Sequence, residues 1–121
     1  MVDERPAVWI GHAVLRARDV ERSADFWRAI GMREVDRNRD VAIMELRGGT
    51  HLVIVPGEPE VGTDAPFDLM VDDLDATHAQ WAALGLRPSA IEHDRIHSHF
   101  TVADPDGYVV TVNSSHVVGT V

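Results

Sequence analysis

The chain has 121 residues, 20 acidic against 11 basic side chains, and a net charge of −9. This length suits one compact domain with its own core, and without cysteine the chain has neither disulfides nor thiolate metal sites. The acidic balance argues against a nucleic-acid partner, because phosphate binding needs clustered Lys and Arg. Apolar runs are strand-sized and the N-terminus is polar, so we expect no signal peptide, no membrane partner and a cytoplasmic location.

The first half of the chain predicts a strand, a helix and then three strands. Residues 8–17 are rich in Val, Ile and Leu, which favours a strand. Asp19 or Ser23 can cap a helix that runs to about Ile30, and Gly31 suits the left-handed conformation that ends a helix. The later strands are expected at residues 32–36, 41–46 and 51–55.

The second half repeats this order after a segment dense in Pro and Gly, residues 57–66, which predicts an exposed linker. The acidic cluster Asp72-Asp73-Asp75 can cap a second helix, which should end before Gly85. This helix is expected over residues 74–84, and the strands over residues 67–71, 87–91, 96–103 and 108–113.

Matching residues show that the two halves are copies of one module. An offset of 54 residues (81 − 27) pairs Trp27 with Trp81, and an offset of 58 (107 − 49) pairs Gly49 with Gly107. We therefore predict an α+β fold in a single domain over residues 1–121. Its two tandem βαβββ modules, residues 8–56 and 67–115, are expected to form a curved mixed sheet around a ligand trough.

Alternation along the strands assigns each side chain to one face of the predicted sheets. The helix-facing side is expected to hold Leu15, Ala17, Leu52, Ile54, Leu69, Val71, Val110 and Val112. The trough-facing side is expected to hold His12, Val14, Arg16, His51, Val53, Asp68, Met70, Val109, Thr111 and Asn113. Trp27 and Trp81 should lie in the core. Packing is also the expected role of Trp9 and Tyr108, with stacking on a planar ligand as the alternative.

Several motifs occur in a fixed order along the chain: His12-Ala13-Val14-Leu15-Arg16-Ala17-Arg18-Asp19, Ser23-Ala24-Asp25-Phe26-Trp27, Val71-Asp72-Asp73-Leu74-Asp75 and Asp104-Pro105-Asp106-Gly107-Tyr108. Together with the duplication they resemble the vicinal oxygen chelate superfamily, which includes glyoxalase I, bleomycin-resistance proteins and extradiol dioxygenases. The resemblance covers almost the whole chain. It implies the module fold stated above and a ligand trough between the modules.

The resemblance also implies four positions for a divalent metal ion: His12, Val53, Pro66 and Thr111. The family usually has His where Pro66 stands and Glu where Val53 and Thr111 stand. Of the four, His12 alone is a metal-ligand type, and one imidazole does not hold such an ion against water. We therefore expect no metal and no cofactor at these positions.

Other histidines leave two alternatives open. His12, with His51 or His99 and the carboxylate of Asp68, can in principle form a two-His, one-carboxylate metal site. Alternatively, His97 and His99 face solvent, form hydrogen bonds within the trough or contact an organic ligand.

The sequence favours a small-molecule binding protein that resembles the metal-free bleomycin-resistance branch and sequesters an antibiotic or metabolite. The expected ligand-binding residues are His12, His51, Val53, Asp68, Met70, His99 and Thr111. A cationic or aromatic ligand suits the acidic chain, and the resemblance implies a homodimer in which two chains complete each trough. The alternative is a lyase, isomerase or dioxygenase, with a metal on unusual ligands that include His12, or metal-free with His12 as general acid or base.

Overall fold

The computed structural model describes residues 4–60 and 62–121. Its first module consists of strand β1 and helix α1, followed by strands β2, β3 and β4, with a 3₁₀ turn at Arg47–Gly49 before β4. The bounds are His12–Ala17 for β1, Val20–Ala29 for α1, Arg33–Arg37 for β2, Ala42–Glu45 for β3 and His51–Pro56 for β4.

The second module repeats the arrangement. The bounds are Leu69–Val71 for β5, Leu74–Ala83 for α2, Glu92–His93 for β6, Ser98–Ala103 for β7 and Val109–Ser114 for β8. The strand order is β1-β4-β3-β2 in the first sheet and β5-β8-β7-β6 in the second, with the first two strands of each parallel. This confirms the predicted α+β fold of two βαβββ modules, which form two four-stranded sheets.

Equivalent residues begin and end the two helices. Asp19 accepts a hydrogen bond from the Arg22 backbone N–H, and Asp73 accepts one from Ala76. Ser23 is instead buried, where its Oγ accepts a hydrogen bond from Trp27 Nε1. Past each helix end, Gly31 and Gly85 have positive φ angles of 121° and 81°, which glycine adopts at little energetic cost. The duplication seen in the sequence is therefore present in the backbone.

The core lies between each sheet and its helix. Trp27 and Trp81 are buried, as predicted, and the Trp27 ring is 5.5 Å from Phe67, so the first helix also contacts the segment that leads into the second module. The predicted helix-facing side chains are buried except Leu69 and Val71, which are partly buried. The alternation of the two faces is therefore correct on both sheets.

Two predicted strands differ from the structure by more than two residues at an end. Residues 8–11 are not part of β1, and Trp9 is 68% exposed, so its predicted packing role is wrong. Residues 87–91 are not a strand either. Arg87 has a φ of +56° and Pro88 has no N–H, while the Ser89 hydroxyl accepts the hydrogen bond of the Thr101 backbone N–H.

A turn at Asp104-Pro105-Asp106-Gly107 joins β7 to β8. Asp104 Oδ1 accepts hydrogen bonds from the backbone N–H groups of Asp106 and Tyr108, at 3.0 and 2.9 Å. Its other oxygen, Oδ2, is buried and has no hydrogen-bond partner among the described residues. Burial raises the pKa of Asp104, and the N–H donors oppose that rise. The charged form of Asp104 thus destabilises the fold.

We expect Asp104→Asn to reveal this penalty. A raised pKa in the folded state means that stability falls as pH rises from the ordinary value of 3.8 through the raised value. Wild type should therefore gain free energy of unfolding relative to Asp104→Asn between pH 7 and pH 4. The gain is about 1.4 kcal/mol for each unit of pKa shift. Urea unfolding at both pH values measures it.

Asp104→Ala is the control, since it removes the acceptor of two N–H groups and should lose about 1–3 kcal/mol at pH 7. The buried-charge account would be contradicted if the free energies of unfolding of wild type and Asp104→Asn differed by the same amount at pH 4 and pH 7.

Candidate functional site

The face of the second sheet that points away from helix α2 borders a cavity of about 630 Å³. Its lining comes from the segment before β5, the turn between β6 and β7, and the strands β7 and β8. The lining residues are Asp64, Ala65, Pro66, Phe67, Asp68, Asp94, His97, His99, Thr101, Val109, Thr111 and Asn113. We call this space the β8 cavity.

Three of the predicted ligand-binding residues, Asp68, His99 and Thr111, line the β8 cavity together. Thr111 and His99 lie on the neighbouring strands β8 and β7, where Thr101 pairs with Thr111 and His99 with Asn113. Asn113 is buried, and its Nδ2 donates hydrogen bonds to Asp68 Oδ2 and to the Leu69 carbonyl, both at 3.3 Å. Asn113 thereby holds the Asp68 carboxylate at the cavity.

His12, His51 and Val53 lie on the first sheet and are not among the residues that line the β8 cavity. His12 pairs with His51 in the register of β1 and β4, and their ring centroids are 5.8 Å apart. His51 Nε2 is 3.0 Å from Glu45 Oε2. Hydrogen bonds from Arg33 and then from His51 lower the pKa of Glu45. This face therefore carries a His pair beside a carboxylate that stays ionised.

Met70 borders another cavity, of about 620 Å³, which is also lined by Met32, Trp81 and Val117. The Met70 residue is 49% exposed. Within one chain, the seven predicted ligand-binding residues thus occupy three places. These are the β8 cavity, the first sheet and the space beside β5.

The family's four metal positions do not suit a metal ion in this chain. His12 and Val53 lie on the first sheet, whereas Pro66 and Thr111 line the β8 cavity. Neither the Val53 nor the Pro66 side chain has a donor atom, and a neutral threonine hydroxyl is a weak ligand. The alternative triad considered in the sequence is divided in the same way. His12 and His51 are on the first sheet, and Asp68 and His99 are at the β8 cavity.

The structure adds Asp94, which the sequence analysis did not single out. Asp94 Oδ2 lies 3.4 Å from His97 Nδ1 and 3.5 Å from His99 Nδ1. Asp94 Oδ1 accepts hydrogen bonds from the backbone N–H groups of Ile96 and His97, and these bonds lower the pKa of Asp94. The sequence signal that could have identified Asp94 is its spacing from the two histidines, Asp94-Arg95-Ile96-His97-Ser98-His99. A tight turn between Asp94 and His97 brings the carboxylate close to both imidazoles.

Residues 12–113 match the family model described as a glyoxalase-like domain. Because this match spans most of the sequence, the chain belongs to the glyoxalase-like domain family, within the vicinal oxygen chelate superfamily. Among curated proteins, none matches the sequence.

Solved structures share the fold at low sequence identity. A lactoylglutathione lyase from Agrobacterium tumefaciens is 18% identical with a TM-score of 0.77, covering 96% of this chain and 100% of that one. A glyoxalase/bleomycin resistance protein/dioxygenase superfamily member from Sphaerobacter thermophilus is 18% identical with a TM-score of 0.75, covering 89% and 98%. The oxidase ChaP-H2 is 18% identical with a TM-score of 0.72, covering 91% and 95%. At this identity the likeness concerns the fold alone.

The two helices have ten residues each, and no helix in the described ranges has the length and apolar character needed to cross a membrane.

We expect Asn113→Asp to destabilise the protein in a pH-dependent way. The new carboxylate would face Asp68 in a buried position, so one of the two would keep its proton to a higher pH. Stability should then fall as pH rises, with a loss of about 1–3 kcal/mol at pH 7 that shrinks towards pH 4. Chemical denaturation at both pH values measures this loss.

Asn113→Ala serves as the matched control, because it removes the same hydrogen bonds without adding a charge. If the deficit of Asn113→Asp is equal at pH 4 and pH 7, the two side chains are not neighbours in solution.

Proposed function

We propose that this protein binds a small organic molecule in the β8 cavity and sequesters it without a metal ion at the family's metal positions. The observation that carries the proposal is the convergence of Asp68, His99 and Thr111 on one space of about 630 Å³. Cavities of about 300–1,000 Å³ that combine apolar walls with a few polar groups are typical of small-molecule sites. Phe67 and Val109 supply the apolar contacts here.

A cationic ligand suits this cavity. Asp64, Asp68 and Asp94 bring three carboxylates to its lining, and the chain as a whole has a net charge of −9. A carboxylate and a cation attract each other more strongly beside the protein than in bulk water, where the dielectric constant is higher. The negative field of the whole chain also raises the rate at which a cationic ligand associates with the protein. Phe67 adds an aromatic face for a planar ligand. We also propose a cytoplasmic location, which a chain without cysteine fits.

The second candidate is an enzyme that uses His12 as a general acid or base. It is favoured by the His12 ring, whose centroid lies 5.8 Å from that of His51, while Glu45 contacts His51 and can orient that imidazole next to His12. The Agrobacterium lyase and the oxidase ChaP-H2 are enzymes by name on the same fold. Loss of turnover in His12→Ala with ligand binding intact would favour this candidate over sequestration.

We also propose that the protein forms a homodimer. Strand β1 is at the edge of its sheet, and the apolar side chains before and along it are exposed: Val8 81%, Trp9 68%, Ile10 72% and Val14 56%. An apolar edge of this kind promotes association unless it is covered. A second copy of the chain is the proposed cover, because the same exposed apolar residues of two copies can bury one another.

For ligand binding, we expect native mass spectrometry of tag-free protein to show a retained organic molecule. Acridine orange, a planar cation, is the added probe. Asp68→Asn should weaken its binding about 10-fold or more, because hydrogen bonds to charged groups are worth about 1.5–3 kcal/mol. Fluorescence titration measures the affinity.

Asp75→Asn is the matched control, because it removes an exposed carboxylate on α2, outside the β8 cavity, and should leave probe binding unchanged. Equal affinity in wild type and Asp68→Asn, together with the absence of any retained molecule, would refute binding in the β8 cavity.

For the dimer, sedimentation velocity at micromolar concentration should show one species of twice the chain mass. Trp9→Glu should convert it to monomer, since it places a charge in the apolar contact. Leu84→Glu is the matched control, because Leu84 is similarly exposed but lies at the end of α2. A monomeric wild type, or a Trp9→Glu variant that is still dimeric, would contradict this interface.

A further inference from the structure

The turn between β6 and β7 brings two imidazoles and a carboxylate to one point. Asp94 follows β6 directly, while His97 and His99 lie at the start of β7. One donor atom from each of the three residues is within 4.8 Å of the other two. We call Asp94, His97 and His99 the turn cluster.

The spacing of these atoms is that of ligands around a metal ion. Donor atoms held about 2.1 Å from a tetrahedral centre are about 3.4 Å from one another. In the turn cluster, Asp94 Oδ2 is 3.4 Å from His97 Nδ1 and 3.5 Å from His99 Nδ1. Two imidazole nitrogens thus approach one carboxylate oxygen at the ligand–ligand distance of a small divalent ion.

The two Nδ1 atoms are also unsatisfied. Both are buried, and neither has a hydrogen-bond partner within the described part of the chain. A buried nitrogen that is left without a partner is destabilising. Coordination would satisfy both atoms through their lone pairs. The carboxylate is already fixed for this role, because the backbone N–H groups of Ile96 and His97 hold its other oxygen.

Outer contacts orient the two rings. The far nitrogen of His99, Nε2, lies 3.4 Å from Glu92 Oε2, so a carboxylate stands behind this imidazole, as is usual for metal-binding histidines. The His97 ring stacks on His116, with centroids 5.8 Å apart and planes at 19°. The turn cluster therefore has supporting contacts behind both of its histidines.

The module fold does not itself require these residues. The pairing of Ala42 with Ile54 and of Phe100 with Val112 extends the offset of 58 residues to β3 and β7. By that offset, His99 corresponds to Val41 (99 − 58) and His97 to Arg39 (97 − 58). Neither Val nor Arg ligates a metal ion, so the ligand set belongs to the second module alone.

We propose that Asp94, His97 and His99 bind a divalent transition-metal ion, with Zn²⁺ the best-suited ion, at the wall of the β8 cavity. Imidazole nitrogen with a carboxylate oxygen is a donor set that Zn²⁺ accepts, and three protein ligands leave a fourth position for water or another ligand. All three residues line the β8 cavity. The site does not include the family's metal positions, and the proposal of metal binding does not depend on the binding of an organic ligand.

The test is a Zn²⁺ titration of the metal-free, tag-free full chain in competition with a chromophoric chelator. Wild type should bind one equivalent of Zn²⁺. His97→Ala, His99→Ala and Asp94→Asn should each weaken binding further than Glu92→Gln, for which we expect a loss of about 10–100-fold. Zn²⁺ should raise the melting temperature of wild type and not that of Asp94→Asn. Circular dichroism confirms that each variant is folded.

His78→Ala is the control, because His78 lies on α2 and packs against Phe100 on the other face of the second sheet, and this variant should bind Zn²⁺ as tightly as wild type. Failure of wild type to bind an equivalent of Zn²⁺ would overturn the proposal. So would binding that survives in Asp94→Asn and His99→Ala, or binding that is lost only in His12→Ala. Binding of acridine orange in the presence of chelator reports on the organic-ligand proposal separately, so the two can fail independently.

Discussion

Burial of one face of each sheet against a single helix is the constraint on which the rest of the structure depends. Leu15, Leu52, Val110 and Val112 are buried, and their neighbours along each strand must face the other way. A module with one helix therefore always leaves one face of its sheet open. In this chain that open face carries the polar side chains, so the same alternation that builds the core also builds the candidate site.

The two open faces have diverged although the two modules share a backbone. The first carries the His12–His51 pair beside Glu45, and the second borders a cavity lined by carboxylates, imidazoles and Thr111. Two of the family's metal positions fall on each face, and at two of the four, Val53 and Pro66, the side chain has no donor atom. In the second module, Asp94, His97 and His99 provide a different donor set, a few residues along the same sheet. The two modules thus share one fold, while the proposed metal ligands of the second module lie outside the family's metal positions.

Most helix and strand positions could be predicted from the sequence, because they depend on residues that are close together along the chain. Asp19 and Asp73 begin the helices, Gly31 and Gly85 follow their ends, and strand alternation assigns the buried and open faces correctly. The failures have local causes too. Val8, Trp9 and Ile10 have strand-forming side chains but pair with no strand in the described part of the chain, and Arg87-Pro88 interrupts the ladder where a strand was expected.

The site was harder to predict than the fold, because it depends on distances across turns and between sheets. The alternation places Asp68 and Thr111 on the open face and leaves the orientation of His99 undecided, and nothing in their spacing relates these residues to the turn residue Asp94. Amide shifts in a ¹⁵N-labelled sample, titrated with Zn²⁺ and then with acridine orange, test the central claim that the second sheet carries the site. The account predicts that the largest changes occur at residues 92–99 for Zn²⁺, and at residues 109–113 for the dye. Changes centred on His12 and His51 for both additions would contradict it.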